Sequence, residues 1–563
     1  MSRQRGEPRR EARRGPAKAA ASRLRRGSSA ARAASTDDTS LRAGEVVLLA
    51  LLFALVALVI YAPSFRGPFV SDDVHYIATN PYIHDLKVSN VLAILDPSSG
   101  STAFVVNYAP VQLLLHGAEW QLFGANTTGY HVVNVLLHAL GSALLAAVFV
   151  RAGLSRFTAI CAAVFFLLHP ANVEAVAWIS QAKTTASFVL SMGALLAHRR
   201  RPALGTLLFG LALLAKPTAA VALPVAGILD WTCEGRVRWR WLVLWSVMLG
   251  ALLVPEFWTH QRSAAEEPID ADWTVRLRTS GAIAARYLWM VATSIGVAAL
   301  QEPKPVRSWL DPLWLTGLAL ILAIAARAVV ALRRKSPELA FWTWAGASFV
   351  PVAQVFPFLY PMADRYLYFI LPGLIGGVLF AARDATANAS TPPWLRRLGR
   401  AVALATAVAF GAHAFQRASL WGAPEKLLAD AAAHYPDGRA AQLVEAGRAM
   451  QAQDADAAIA ALRRAWRLGF NRFELLEVDP VFAPLRSDPR FGALLREIAG
   501  SWIERIEARP HPTQLELRAL AQAYFLRGER GAAIEALERA LAVGGPVDDL
   551  IRNDLAMLRG APR

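Results

Sequence analysis

The sequence predicts an all-α protein, a polytopic membrane helical bundle followed by a soluble helical domain. Three observations carry this reading. The 563 residues are 55% hydrophobic and 18% charged, with a mean hydropathy of +0.34, too apolar for a soluble multidomain protein. Apolar stretches recur between residues 45 and 415. Beyond Pro424 the pattern changes to Ala, Leu, Arg and Glu at a 3.6-residue period.

Residues 1–43 hold twelve Arg or Lys against four Asp or Glu, half of the net charge of +16. With no hydrophobic period this leader is expected to be disordered. It suits cytoplasmic retention better than nucleic-acid binding. No small-residue cleavage site follows the next apolar run, so Glu45–Ala62 is read as an uncleaved first span. The membrane domain then covers 44–420, with a first outer loop at 63–108.

Ten further apolar stretches, near 129–150, 157–169, 182–198, 203–216, 217–231, 240–258, 312–332, 339–357, 366–382 and 399–415, bring the expected spans to eleven. Several fall short of the ~20 residues a perpendicular helix needs, so tilt or breaks at proline are expected. Arg151/Arg156, Arg199–Arg201, Arg236/Arg238/Arg240, Arg333–Lys335 and Arg396/Arg397 should be cytoplasmic. The count closes if 109–123 and 279–299 both return to the outer side. The 63–108 loop and everything after Trp421 then face outward. Seventeen tryptophans suit two extensive membrane–water interfaces. Cys161 and Cys233, the only cysteines, offer neither a disulfide framework nor a metal site.

The outer loop carries Asp72 and Asp73 side by side, which anchoring does not require. Each disfavours the other's ionisation, and a low-dielectric setting adds to this, the making of a general base. A solvated turn or helix cap is the plain alternative. Other ionisable residues gather on the same expected side: His169, Glu174 and Lys183 between two spans, Lys216-Pro217 at a span end, and Asp364-Arg365-Tyr366 at the start of another. Arg276, Arg278, Arg286, Lys304 and Arg307 flank the 279–299 segment. Outward cations run against the positive-inside bias and suit a phosphate-bearing lipid, although snorkelling accounts for any one alone. Glu174 and Lys183, nine residues apart, can meet only if the chain bends between them.

In the 424–563 domain, Ala458-Ile459-x-x-Leu462-x-x-Ala465 matches Ala533-Ile534-x-x-Leu537-x-x-Ala540 at an offset of 75. Small residues at such positions let helices pack closely, the tetratricopeptide pattern, whose stacked pairs offer a groove for extended peptides.

The order of these features resembles the transmembrane-and-tetratricopeptide O-mannosyltransferases and their bacterial relatives, which have the GT-C glycosyltransferase architecture. The resemblance rests on Phe69…Asp72-Asp73…Asn80, Tyr108-x-Pro110, Phe123-Gly124…Gly129-Tyr130-His131-x-x-Asn134-x-x-Leu137-His138, His169-Pro170-x-x-Val173-Glu174-x-Val176-Ala177-Trp178-Ile179-Ser180, Lys216-Pro217 and Asp364-Arg365-Tyr366-x-Tyr368. Where family members often carry an Arg or Glu-Arg before the next lysine, this chain has Gln181-Ala182.

The resemblance implies inverting transfer of mannose or a similar sugar from a polyprenyl-phosphate donor to an acceptor hydroxyl, of protein Ser or Thr, on the outer side of the membrane. Asp72, with Asp73 beside it, would take the hydroxyl proton. Lys183, Lys216 and Arg365, with Arg286 behind them and Tyr366 adjoining, would hold the phosphate. His169 and Glu174 would orient the sugar or the loop. No cofactor is expected; two carboxylates could hold Mg²⁺ or Mn²⁺, but a monophosphate-lipid donor makes a metal unnecessary. The partners expected are the lipid-linked sugar, a protein bound by the repeats, and membrane lipid, with no nucleic acid. The Ala/Arg-rich composition suggests a bacterial inner membrane with the site and repeats periplasmic. The endoplasmic reticulum is the alternative, where Asn126-Thr-Thr and Asn388-Ala-Ser would be sequons. The competing functional reading is a non-catalytic anchor displaying helical repeats for envelope assembly. A sugar transporter is disfavoured by the lack of paired broken helices in two halves.

Overall fold

The computed structural model describes residues 40–105, 107–262, 269–354, 360–386, 392–545 and 547–560. The basic leader through residue 39, the Asn388 sequon and residues 355–357 of the stretch expected at 339–357 lie outside them. All regular elements among the described residues are helices. The chain is an all-α polytopic membrane protein with a helical-repeat part.

Six helices are long and apolar enough to cross a membrane: Ala43–Ser64, Thr127–Arg151, Trp239–Phe257, Pro312–Arg333, Asp364–Asp384 and Pro393–Leu420. The Arg156–Leu168 and Pro170–Ala177 pair, bent by 55°, makes a seventh if taken as one span. The other stretches expected to cross are shorter or more polar. Pro202–Ala215 and Ala222–Glu234 have 14 and 13 residues, about 20 Å of helix at ~1.5 Å per residue. Ala182–Arg200 carries Lys183 at one end and His198-Arg199-Arg200 at the other. Glu338–Phe349 ends in a tight turn at Val350–Val352.

Thr127–Arg151 and Asp364–Asp384 form the middle of the bundle, with 67% and 61% of their most apolar windows buried within the protein. The other four long helices are only 11–17% buried there and turn their apolar faces outward, as spans in contact with lipid do. Small residues set the closest helix contacts. A Cβ on Gly317 would meet the Gly281 carbonyl at 1.9 Å, so the Trp273–Thr293 and Pro312–Arg333 helices touch backbone to backbone.

The polar pairs sort to the two ends of the bundle. At one end Arg156 meets Glu45 (2.8 Å), Arg199 meets Glu234 (3.0 Å), Arg238 meets Asp230 (2.5 Å) and Arg327 meets Glu338 (2.6 Å). These are the loops that the charge bias grouped together. At the other end lie the 63–108 loop, the segment joining Leu168 to Ala182, Lys216 and Asp364–Tyr366. The Trp273–Thr293 helix joins this end through Val291, whose carbonyl bonds His169, while Arg278 nearer its start donates to the Val306 carbonyl.

The tail leaves Trp421 at this second end and folds back on it. Gly67 lies so close to the Trp421 carbonyl that a Cβ would sit 2.1 Å from it. Asp430 accepts from the Ala299 N–H (2.9 Å) and pairs with Arg417 (2.5 Å), while Lys304 meets Asp437 (2.9 Å). Leu515 and Val547, far along the tail, pack against the cluster of Ile77, Ile83 and Phe104 in the outer loop. Within the tail, Arg439–Gln451 pairs with Ala455–Arg467 and Gln514–Leu526 with Arg530–Val543. The equivalent residues Ala458, Leu462 and Ala465, and Ala533, Leu537 and Ala540, are all buried.

Candidate active site

Asp72 and Asp73 share a short stretch of unusual backbone. Ser71 just before them has φ of +52°, the left-handed region that a non-glycine residue enters at a cost of about 1–2 kcal/mol. A single π-helical turn, Val74–Ala78, follows directly. This geometry sends the two carboxylates in different directions. Asp73 is fully buried. One oxygen accepts from the Ser180 N–H (2.8 Å) and the Ser180 hydroxyl, and the other from the Val70 N–H (3.0 Å). Asp72 stays partly exposed and accepts a long hydrogen bond from Ser71 Oγ (3.5 Å).

Burial lifts the Asp73 carboxyl from its ordinary 3.8 to about 6, against the hydrogen bonds from Ser180 and Val70 and the charge of His116, which pull it down. Of the two causes expected from the sequence, the adjacent charge and a low-dielectric setting, the second is the leading one. Burial likewise holds the His75 imidazole below its usual value, against the pull of Asp72.

The segment after His169 supplies the opposite wall. Pro170 and Pro217 disfavour helix for the residues before them, so His169 (ψ 123°) and Lys216 (ψ 128°) are extended and end their helices. Trp178 (ψ 119°) breaks the chain again between Val173–Ala177 and the tight turn Ile179–Gln181. The bend expected between Glu174 and Lys183 is therefore present, yet Glu174 turns to another partner. Its carboxylate accepts from the Arg365 backbone N–H (2.7 Å) and pairs with the Arg365 guanidinium. Asn134 and Gln112 fix the turn by donating to the carbonyls of Trp178 (3.1 Å) and Ser180 (2.9 Å).

Three cations converge here. Arg365 lies over the rings of Tyr360, Tyr366 and Trp178, at 4.9, 5.2 and 5.3 Å from their centroids. Lys183 sits 4.9 Å from the centre of the Tyr76 ring. Lys216 donates to Thr184 Oγ1 (2.8 Å), which in turn donates to Gln181 (2.8 Å). Lys216 lies within the fields of Lys183, Arg365 and Glu174, and Lys183 within those of Asp72, Asp73, Arg365 and Glu256. Lys183 also occupies the first turn of a 19-residue helix, whose dipole adds positive potential. Such a group of cations can bind an anion, with the partly exposed Asp72 carboxylate near Lys183 available as a base beside it.

Two of the expected site residues stand apart. His169 is wholly buried; Nε2 donates to the Val291 carbonyl (3.1 Å) and Nδ1 accepts from the Ala171 N–H (3.2 Å). Both ring nitrogens are occupied, so it braces the turn and does not face the cations. Arg286 projects into a separate concavity with Gln301 and Tyr435. Tyr366 bonds the Tyr360 carbonyl (3.2 Å) and supports Arg365. Glu256 escaped the sequence reading. It reaches Lys183 from the Trp239–Arg262 helix, and its Oε1 is buried with no hydrogen-bond partner among the described residues. A lone acid in an apolar stretch was the available signal. No group of three or more His, Cys, Asp or Glu among the described residues is arranged to hold a metal ion.

Fold and site together define a multi-pass membrane protein with an acid and a cation cluster at one end, covered by a helical tail. Comparison with known proteins gives the same direction. The chain is 26% identical over 201 residues to a Caenorhabditis elegans protein O-mannosyl-transferase, covering 33% of this chain and 29% of that protein. It is 29% identical over 191 residues to a Drosophila melanogaster protein O-mannosyl-transferase, covering 31% and 22%. A human protein O-mannosyl-transferase is 30% identical over 149 residues, covering 23% and 20%. The chain thus spans less than a third of the length of these curated relatives. No family model and no solved structure matches.

Proposed function

We propose that this protein is a GT-C-type membrane glycosyltransferase that moves mannose or a similar sugar from a polyprenyl phosphate to a Ser or Thr hydroxyl of a protein acceptor. The observation that carries the proposal is the partly exposed Asp72 carboxylate, whose charge bears on Lys183, in a group of cations that Lys183 forms with Arg365 and Lys216. The relatives' names supply the group transferred. In this reading Asp72 takes the proton as the acceptor oxygen bonds to the anomeric carbon. The bond from that carbon to the phosphate oxygen breaks on the opposite face, which inverts the centre. The lipid phosphate leaves with the bonding electrons, and the three cations hold its charge. Asp73, anchored by Ser180 and Val70, fixes the backbone that carries Asp72, and Glu174 positions Arg365. The end bearing the site is the outer one, periplasmic in a bacterial cell, and the tail's tetratricopeptide-like pairs hold the acceptor polypeptide.

The test is sugar transfer from a synthetic polyprenyl-phosphate mannose to an acceptor peptide by full-length protein in lipid. Asp72→Asn should lower turnover about 10²- to 10⁴-fold, the usual worth of a general base, with donor binding intact. Undiminished transfer by Asp72→Asn would overturn the assignment of the base. Absence of transfer by the wild-type protein with several lipid-linked sugars would favour a non-catalytic anchor.

A further inference from the structure

A second concavity, about 480 Å³ in volume, lies between the Trp273–Thr293 and Pro312–Arg333 helices and is closed on one side by His434 and Tyr435 of the tail. Leu288, Leu313 and Leu320 form its apolar wall, and Arg286, Gln301 and Tyr435 its polar end. We propose that it holds the phosphate and upper acyl carbons of a membrane phospholipid, with Arg286 on the phosphate.

Three features select that occupant. The Pro312–Arg333 helix is the least buried of the six long helices, at 11%. Trp289 and Ile295 on the facing element are 58% and 61% exposed, so the concavity opens toward hydrocarbon. Lys304 and Arg307 find Asp437 and Asp270, whereas Arg286 has no ion pair among the described residues. Its guanidinium donates to the Tyr435 hydroxyl, which in turn donates to Gln301, and its remaining N–H groups are left for an anion. A partly buried guanidinium at the top of a membrane helix, above an apolar wall, is complementary to a lipid phosphate.

The concavity is distinct from the Asp72 cluster. Tyr287 bonds both the N–H (3.0 Å) and the carbonyl (2.9 Å) of Ala363, and Asp364 accepts from Gln301 (2.7 Å) and the Ala298 N–H (2.9 Å). These bonds form a partition between Arg286 and Arg365. A phospholipid here leaves the proposed donor site free, and because tail residues line it, the lipid fastens the tail to the bundle.

The experiment is phospholipid retention by the full-length protein, reconstituted in phosphatidylcholine with a minority of phosphatidylglycerol and then extracted into mild detergent for native mass spectrometry. Wild type and Asp72→Asn should each keep one phospholipid. Arg286→Gln should retain it about tenfold less well, as expected for one lost charge-assisted hydrogen bond. Thr316→Trp, which fills the exposed end of the apolar wall, should retain none. Equal retention by all four proteins, or equal retention of an uncharged diacylglycerol by wild type, would overturn the proposal. Because Asp72→Asn serves as a control, the result does not depend on whether the protein transfers sugar.

Discussion

Asp73 is held in place by three donors while paying for its burial in proton affinity. Its native carboxyl titrates at about 6 against 3.8 for the free group. The folded protein therefore binds this proton more tightly than the unfolded chain does, and the group opposes folding more as pH rises through that window. Lowering pH from 7 to 5 should raise the melting temperature of wild type relative to Asp73→Asn. The change corresponds to about 1.4 kcal/mol for each pH unit crossed within the window. A wild-type-to-mutant difference that stays constant with pH would show that Asp73 titrates normally. The sequence singled out the aspartate pair, and the family resemblance favoured Asp72 as the base, but nothing local showed how their surroundings differ. What distinguishes them is Ser180, 107 positions away from Asp73. Arg365 was likewise legible as an outward cation, while its tie to Glu174 spans 191 positions. Long-range pairing of this kind leaves no mark in local pattern.

At the level of helices, the sequence reading was most accurate where apolar runs were long and uninterrupted. All six long spans coincide with expected stretches, because a run of ~20 apolar residues has few other uses. The helices at 202–215 and 222–234 are as short as the sequence suggests, and composition alone does not separate them from spans, because packing inside a bundle and facing lipid demand the same residues. The internal repeat of the tail was visible from small residues at an offset of 75, and the backbone extends it. Gly528 turns the second pair with φ of +81°, and Gln453, at the equivalent position, takes φ of +58°. Replacing Gln453 with glycine should relieve a left-handed side chain and stabilise the tail by about 1 kcal/mol. Chemical denaturation followed by tail fluorescence would measure this, and a loss of stability would contradict it.

Over the whole molecule, the tail and bundle are joined through a few polar contacts centred on Asp430. It receives the Ala299 N–H and the Arg417 guanidinium, and His434 lies 3.6 Å away. Asp430→Ala leaves Arg417 partly buried without its carboxylate, an arrangement that costs about 3 kcal/mol or more. The tail of this variant should become faster in amide exchange from Pro424 to Tyr435, with the bundle helices unchanged. Uniform exchange across the protein, or none gained, would show that the tail is held by other means. The charge bias sorted the loops into two groups that the fold keeps at separate ends, since positive-inside asymmetry acts on whole loops and survives local misreading. The return of the tail onto the outer loop through Leu515 and Val547 had no counterpart in the sequence, because each residue is one ordinary apolar side chain of a helical domain.

The contact of Gly67 with Trp421 has a mechanical consequence. Trp421 also stacks on Trp178, which lies beneath Arg365. Tension on the tail is thus transmitted through this one residue, by its carbonyl to the segment leading into Asp72 and by its indole to the ring beneath Arg365.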